Sequence, residues 1–175
     1  MATLNLVYYP DDPLTQTAEP VESFTAELAT LAENMLETMH AYDGVGLAGP
    51  QVGIAKRLFV LQEPEGLEMC LVNPMVTEHS GEEAGEEGCL SMPTIYAMVT
   101  RPTHVRVQAQ DIEGNALDFE ADGFLARIIQ HEYDHLEGIL FPERLDILTR
   151  QSKYQEWAEA RDNFILGKAP SNHAT

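Results

Sequence analysis

Residues 130 to 138, QHEYDHLEG, place two histidines four apart with a glutamate beside the first. On a helix the i, i+4 spacing stacks His131 and His135 on adjacent turns, where both imidazoles can reach one ion. Glu132 then lies within reach of a water on that ion rather than of the ion itself, which is the arrangement of hydrolytic HExxH helices. At about 100° per residue, Phe124, Leu125, Ile128, Ile129 and Leu136 share one half of the helix with His131, Glu132 and His135. Arg127, Gln130, Asp134 and Glu137 take the other half. Polar side chains turned into a core require partners, since an unpaired buried charge is costly, and a metal ion would satisfy all three.

Two imidazoles leave such an ion in need of a third protein ligand and an open position. Glu156 or Glu159, further along the chain, would suit a zinc protease. Cys89, in EEGCLSMP (86 to 93) with Gly88 and Pro93 on either side, would instead supply a thiolate, a strong transition-metal ligand.

These residues need elements to hold them. Phe24, Leu28, Leu31, Met35 and Met39 recur at steps of three and four and predict a helix from about Ser23 to Ala41. GVGLAGPQVG (44 to 53) is too glycine-rich for a helix or central strand and reads as a loop where backbone approaches something closely. RLFVLQ (57 to 62), MCLVN (69 to 73) and HVRVQAQ (104 to 110) read as strands, and DIEGN as a hairpin turn into a further strand at 116 to 121. Helices follow at about 122 to 137 and 149 to 165, the second with Tyr154, Trp157, Ala158, Arg161 and Ile165 on one side. The predicted fold is α+β, with mixed or antiparallel sheets around a central HExxH helix flanked by an N-terminal and a C-terminal helix. Residues 1 to 175 make one expected domain, with 144 to 175 as its C-terminal helix and tail.

No apolar run approaches the ~20 residues that span a bilayer, and MATLNLVYYPDDPL lacks the features of a secretory signal, so a cytoplasmic protein is expected. There Cys70 and Cys89 are expected as free or metal-bound thiols, with Cys70 a core thiol in a buried strand. The net charge of -19 is uneven: residues 1 to 143 hold 25 acids and five bases, residues 144 to 175 four acids and five bases. Such a body should repel membrane surfaces and nucleic acid, leaving only the tail able to approach RNA.

Three segments together, GVGLAGPQ (44 to 51), EGCLS (87 to 91) and HEYDH (131 to 135), resemble peptide deformylases in order and spacing, and the likeness extends over almost the whole chain. The resemblance implies removal of the formyl group from N-formylmethionine at the start of new polypeptides. It implies Cys89, His131 and His135 as ligands of Fe2+, which Zn2+, Ni2+ or Co2+ can replace. Glu132 would take a proton from the attacking water and pass it to the leaving amine, and the Gln51 amide and Leu90 backbone N-H would stabilise the negative oxygen. Gly46 would offer backbone to the peptide, and Phe124 and Ile128, with Val45 opposite, would receive the methionine side chain. The expected partners are N-formylmethionyl nascent peptides and, weakly, the ribosome through the C-terminal helix, where Arg144, Arg150, Lys153, Arg161 and Lys168 lie; neither membrane nor sequence-specific nucleic acid binding is expected. Two departures stand out: Gly49 where the family usually has alanine, which would loosen the loop positioning Gln51, and Tyr96 in TIYAMV, which lacks the family's glycine and arginine. Rival readings are a protease using Glu156 or Glu159, and a silent homologue, which would lack one of Cys89, Gln51 or Glu132.

Overall fold

In the computed structural model residues 2–165 are described, and Lys168 with the rest of the tail lies outside them. The first helix, α1 (Ala26–Ala41), begins three residues later than the periodicity suggests, because Thr25 is its N-cap and accepts a hydrogen bond from the Leu28 N-H. It buries Leu28, Met35 and Met39 against the strands that follow.

Strands β1 (Gly46–Ala48), β2 (Leu58–Gln62), β3 (Glu68–Ser80), β6 (His104–Gln110) and β7 (Ala116–Asp122) form an antiparallel sheet in the order β1-β2-β3-β6-β7. Strands β4 (Glu83–Cys89) and β5 (Met92–Arg101) form a second, two-stranded sheet. The HExxH helix, α2 (Gly123–Leu136), packs Ala126, Ile128, Ile129 and Leu136 onto Phe59, Leu61, Leu71, Val105 and Val107 of the larger sheet. The fold is therefore α+β, with antiparallel sheets around a central helix.

Several local expectations are corrected. The segment 44 to 53 is not all loop: Gly46–Ala48 pairs with β2, and Gly49–Val52 forms a 3-10 turn. Gly49 does not loosen it, since a Cβ there would lie 2.8 Å from the carbonyl oxygens of Ile54 and Lys56, so the turn closes tightly on neighbouring backbone. Strand β3 runs well past Asn73, where Pro74 argues for a stop. The pairing with β6 is irregular there, and Asn73 adopts φ 50°, its side chain bonding the Val21 N-H and C=O and Gln110. EAGEEGC, poor in strand-forming residues, becomes β4 through its pairing with β5.

Helix α3 (Ile147–Ile165) starts after Asp146, whose carboxylate accepts from the Thr149 N-H and hydroxyl. Its inward residues are Tyr154, Trp157, Ala160 and Phe164, whereas Ala158 and Ile165 are exposed. Trp157 is fully enclosed beside Tyr8 and Phe164, its indole N-H donating to the Tyr9 carbonyl at 2.7 Å, which joins the C-terminal helix to the N-terminal segment and β5. Trp157→Ala should cost about 3–5 kcal/mol in urea unfolding; a loss below about 1 kcal/mol would show that this contact does not hold α3 in place.

Candidate active site

His131 and His135 leave α2 on adjacent turns, their ring centroids 5.0 Å apart, both fully buried. Cys89 ends β4 at the tip of a hairpin: it pairs with Met92 across the two-residue turn of Leu90 and Ser91. This tip faces α2, and Cys89 Sγ lies 3.3 Å from His135 Nε2. Among the described residues, one donor atom each from Cys89, His131 and His135 lies within 4.8 Å of the other two. Glu156 and Glu159 are not part of this cluster; they lie exposed on α3, paired with Lys153 and Gln155.

His131 Nε2, His135 Nδ1 and both carboxylate oxygens of Glu132 are buried without a hydrogen-bond partner. Glu132 Oε2 lies 4.0 Å from His131 Nε2. Orphaned buried polar atoms at this density are rare and call for a ligand. A thiolate, two imidazoles and a carboxylate just beyond them suit a divalent transition metal with an open position for water.

Burial pushes the Glu132 carboxyl up to about 7. Burial likewise holds His135 well below the usual histidine range, helped by the charge on His131. For His131 burial acts in the same sense, but the neighbouring Cys89 sulfur, the bond to Glu87 and the Glu132 charge outweigh it and raise the imidazole.

Gln51 sits in the 3-10 turn, fully buried. Its Oε1 accepts from the Ala48 N-H at 2.9 Å, which settles the amide orientation: Nε2 faces Cys89 Sγ at 3.5 Å and Ser91 Oγ at 3.3 Å. The N-terminal segment clamps this corner, since the Val7 N-H donates to the Gln51 carbonyl and the Tyr9 N-H to the Ser91 carbonyl. Leu90 is buried in the turn itself. Gly46 has a role that its backbone alone does not reveal: a Cβ there would lie 2.6 Å from Glu132 Oε2, so the absent side chain makes room for the carboxylate. Tyr96 similarly lies across Gly88.

Phe124 and Ile128 line a shallow cleft with Glu86, Glu87, Arg127 and His131. Ile128 is buried and Phe124 is 46% exposed, so Phe124 is not the core residue its place on the helix wheel suggests. Val45 is outside that lining; it is partly buried against the core cluster that contains Ile128. Cys70 is half-buried rather than enclosed, its thiol pushed up to about 12 by burial and by Asp111.

The helix wheel also misplaces Asp134. It is buried, held by Arg101 at 2.9 Å and by two bonds from Arg144. Arg101 donates twice to Glu87, whose Oε1 faces His131 Nδ1 at 2.9 Å. Burial alone would raise the Glu87 carboxyl, but the bonds from His131 and Arg101 prevail and hold it well below the usual range. Glu87, Ser91 and Arg101 have no part in the sequence-level site. Glu87 stands inside the EGCLS motif, which was the available signal; nothing local marks Arg101.

An α+β fold in which Cys89 of β4 meets the two histidines of an HExxH helix fits one class: a metal-site hydrolase. Among known proteins, the family model for polypeptide deformylase matches residues 3–151. The peptide deformylase of Chromobacterium violaceum is 46% identical over 153 residues, covering 86% of this chain and 92% of that protein. Peptide deformylase 1 of Clostridium perfringens is 46% identical over 142 residues, 81% of this chain and 97% of that one. The crystal structure of a Legionella pneumophila peptide deformylase superposes with TM-score 0.87 at 36% identity, over 96% of this chain and 99% of that one. That of the Thermus thermophilus enzyme gives 0.86 at 41%, over 95% and 98%. The chain belongs to the polypeptide deformylase family.

The raised Glu132 makes the metal-free protein sensitive to pH. A carboxyl with a folded value above its unfolded value, here about 7 against 4.5, binds its proton more tightly when folded. Its contribution is complete below the unfolded value and is lost as pH rises through the folded one. Chelator-treated wild type should therefore lose more stability between about pH 5 and about pH 8 than chelator-treated Glu132→Gln. Equal losses in urea unfolding would show that Glu132 is not the titrating group.

Proposed function

We propose that Cys89, His131 and His135 hold a divalent metal ion, Fe2+ in the cell and replaceable by Zn2+, Ni2+ or Co2+, and that Glu132 is the proton carrier. The protein removes the formyl group from N-formylmethionine at the start of newly made polypeptides and releases formate. The observation that carries the site assignment is the convergence of three donor atoms beside a buried carboxylate with no partner of its own.

Bound in this triad, the ion supplies Lewis acidity, which activates water near neutral pH and polarises a carbonyl. The remaining work falls to the chain. Glu132 takes the proton at a carboxylate oxygen as water adds to the formyl carbon, and gives it to the amine nitrogen as the carbon-nitrogen bond breaks. Gln51 Nε2 and the Leu90 N-H donate to the oxygen that becomes negative; the Ala48 bond to Gln51 Oε1 keeps the amide turned that way before substrate arrives. Gly46 lies on β1, the outer strand of its sheet, where a peptide can dock as an additional strand. Phe124 and Ile128 receive the methionine side chain, with Val45 opposite.

The substrates are nascent N-formylmethionyl peptides, and the cytoplasm, where they emerge, is the compartment this assigns. Among the described residues no helix is long and apolar enough to cross a membrane. A weak, salt-sensitive ribosome contact through α3 accompanies this reading, without sequence-specific nucleic acid binding.

Freshly made, anaerobically iron-loaded protein should release formate from formyl-Met-Ala-Ser. Glu132→Gln should keep its metal and lose at least ~100-fold in kcat/KM; retention of more than about a tenth would end the proton-carrier assignment.

Metal analysis separates the ligand sets. Cys89→Ala should lose tightly bound metal, while Glu156→Ala and Glu159→Ala should retain it. Full occupancy in Cys89→Ala, or cleavage of internal bonds in unformylated peptides, would favour a protease.

For the metal itself, a thiolate with two imidazoles takes Fe2+ or Zn2+, and affinity order alone favours zinc. The Fe2+ form should nevertheless be the faster enzyme, and peroxide should inactivate it sooner than the Ni2+ form, adding oxygen at Cys89 rather than Cys70. Equal rates and equal peroxide survival of the Fe2+ and Zn2+ forms would remove the iron assignment.

A further inference from the structure

The three proposed ligands stand on elements of two different sheets. His131 and His135 ride on α2, which packs onto the five-stranded sheet, whereas Cys89 ends β4 of the two-stranded one. The relative placement of thiolate and imidazoles therefore depends on how the small sheet is joined to the helix.

Much of that joint is one side chain. Arg127, on α2, donates from Nη1 to Glu87 Oε2 at 2.6 Å and to the Val99 carbonyl at 2.8 Å, and from Nη2 to the Glu83 carbonyl at 2.8 Å. It thus grips both β4 and β5, and its side chain is only 13% exposed. The grip needs the glycine beneath it: a Cβ on Gly85 would lie 2.9 Å from Arg127 Cζ and Nε. Glu87, the carboxylate Arg127 holds, is the group that faces His131 Nδ1 at 2.9 Å. A partner on the far nitrogen of a metal-binding imidazole fixes its tautomer and orientation.

We propose that Arg127 is a positioning residue of the metal site, fixing the strand that carries Cys89 against the helix that carries His131 and His135 and holding Glu87 on His131. Gly85 is the position that allows it. The assignment rests on Cys89, His131 and His135 being the ligands.

Cobalt binding tests it without reference to turnover. Apoprotein is titrated with Co2+ against a chelator, and the thiolate-to-cobalt charge-transfer band and tetrahedral ligand-field bands are recorded. Arg127→Met should weaken Co2+ binding by about 10–100-fold and perturb both bands. Arg127→Lys, which keeps a donor but not the fork, should recover part of the affinity. Gly85→Ala should displace the guanidinium and move affinity and spectrum in the same direction as Arg127→Met; these two milder variants carry the test if Arg127→Met does not fold. The double variant with Glu87→Gln should lose less than the sum of the single losses, since both act through one carboxylate. Arg161→Met on α3, which breaks bonds to Tyr9 and Asp11 of the N-terminal segment, is the control for plain loss of stability and should keep wild-type affinity and spectrum. Wild-type cobalt affinity and spectrum in the Arg127 and Gly85 variants would overturn the proposal, as would an equal loss in Arg161→Met. Absence of a thiolate-to-cobalt band in wild type would overturn the ligand assignment itself, and this proposal with it.

Discussion

The Glu87 carboxylate is the point at which the two-stranded sheet is held against the central helix. Its Oε2 accepts from Arg101 and Arg127 at 2.6 Å each, and its Oε1 from Arg101 at 2.9 Å with His131 Nδ1 at the same distance. A carboxylate offers about four lone-pair positions, and all are used. Glu87 and Arg101 are almost wholly shielded from water. Burying such charges is expensive, and well-packed apolar side chains at the same positions would often give equal or greater stability. What apolar packing does not supply is direction. Hydrogen bonds between a planar guanidinium and a carboxylate fix distance and angle together, which a site made from ligands on separate elements requires.

The same economy of space governs the glycine-rich segment. Gly46 serves β1 as backbone, pairing with Leu61, and serves Glu132 as absence, because its missing Cβ is what the carboxylate occupies. A glycine read as an approach point for substrate is at once a clearance for a buried acid. The two demands are compatible, because the strand edge and the face toward α2 are different sides of one residue.

Periodicity made α1, α2 and α3 legible, and the i, i+4 histidines with Cys89 marked the donor set, because helical faces and ligand types are local properties. Two of the errors share one cause. Asp134 falls on the polar side of the helix wheel, yet Arg101 from β5 and Arg144 from the turn after α2 arrive there and bury it. EAGEEGC has the composition of a solvated loop, yet it pairs with β5 and sets Glu87 against Arg101, Arg127 and His131. A helix wheel or a propensity weighs a residue against water or apolar packing, not against a countercharge from elsewhere in the chain. Gly85 is unreadable in isolation for the same reason: its meaning is the guanidinium laid over it.

The described bases are spent on contacts within the chain. Arg101, Arg127 and Arg144 are committed to the buried network, Arg57 to the Leu136 carbonyl and Glu137, and Arg161 to Tyr9 and Asp11. Lys56, Arg106, Arg150 and Lys153 pair with Glu19, Asp118, Glu143 and Glu156. Each of the nine described bases thus has an acid beside it, while acids outnumber bases by 29 to ten in the sequence. Basic side chains spent on internal geometry are not available to neutralise phosphates, so the field around the molecule is set by the acids left over. An α3 whose arginines and lysine are already paired could meet a phosphate backbone only by exchanging those partners, which keeps any such contact weak.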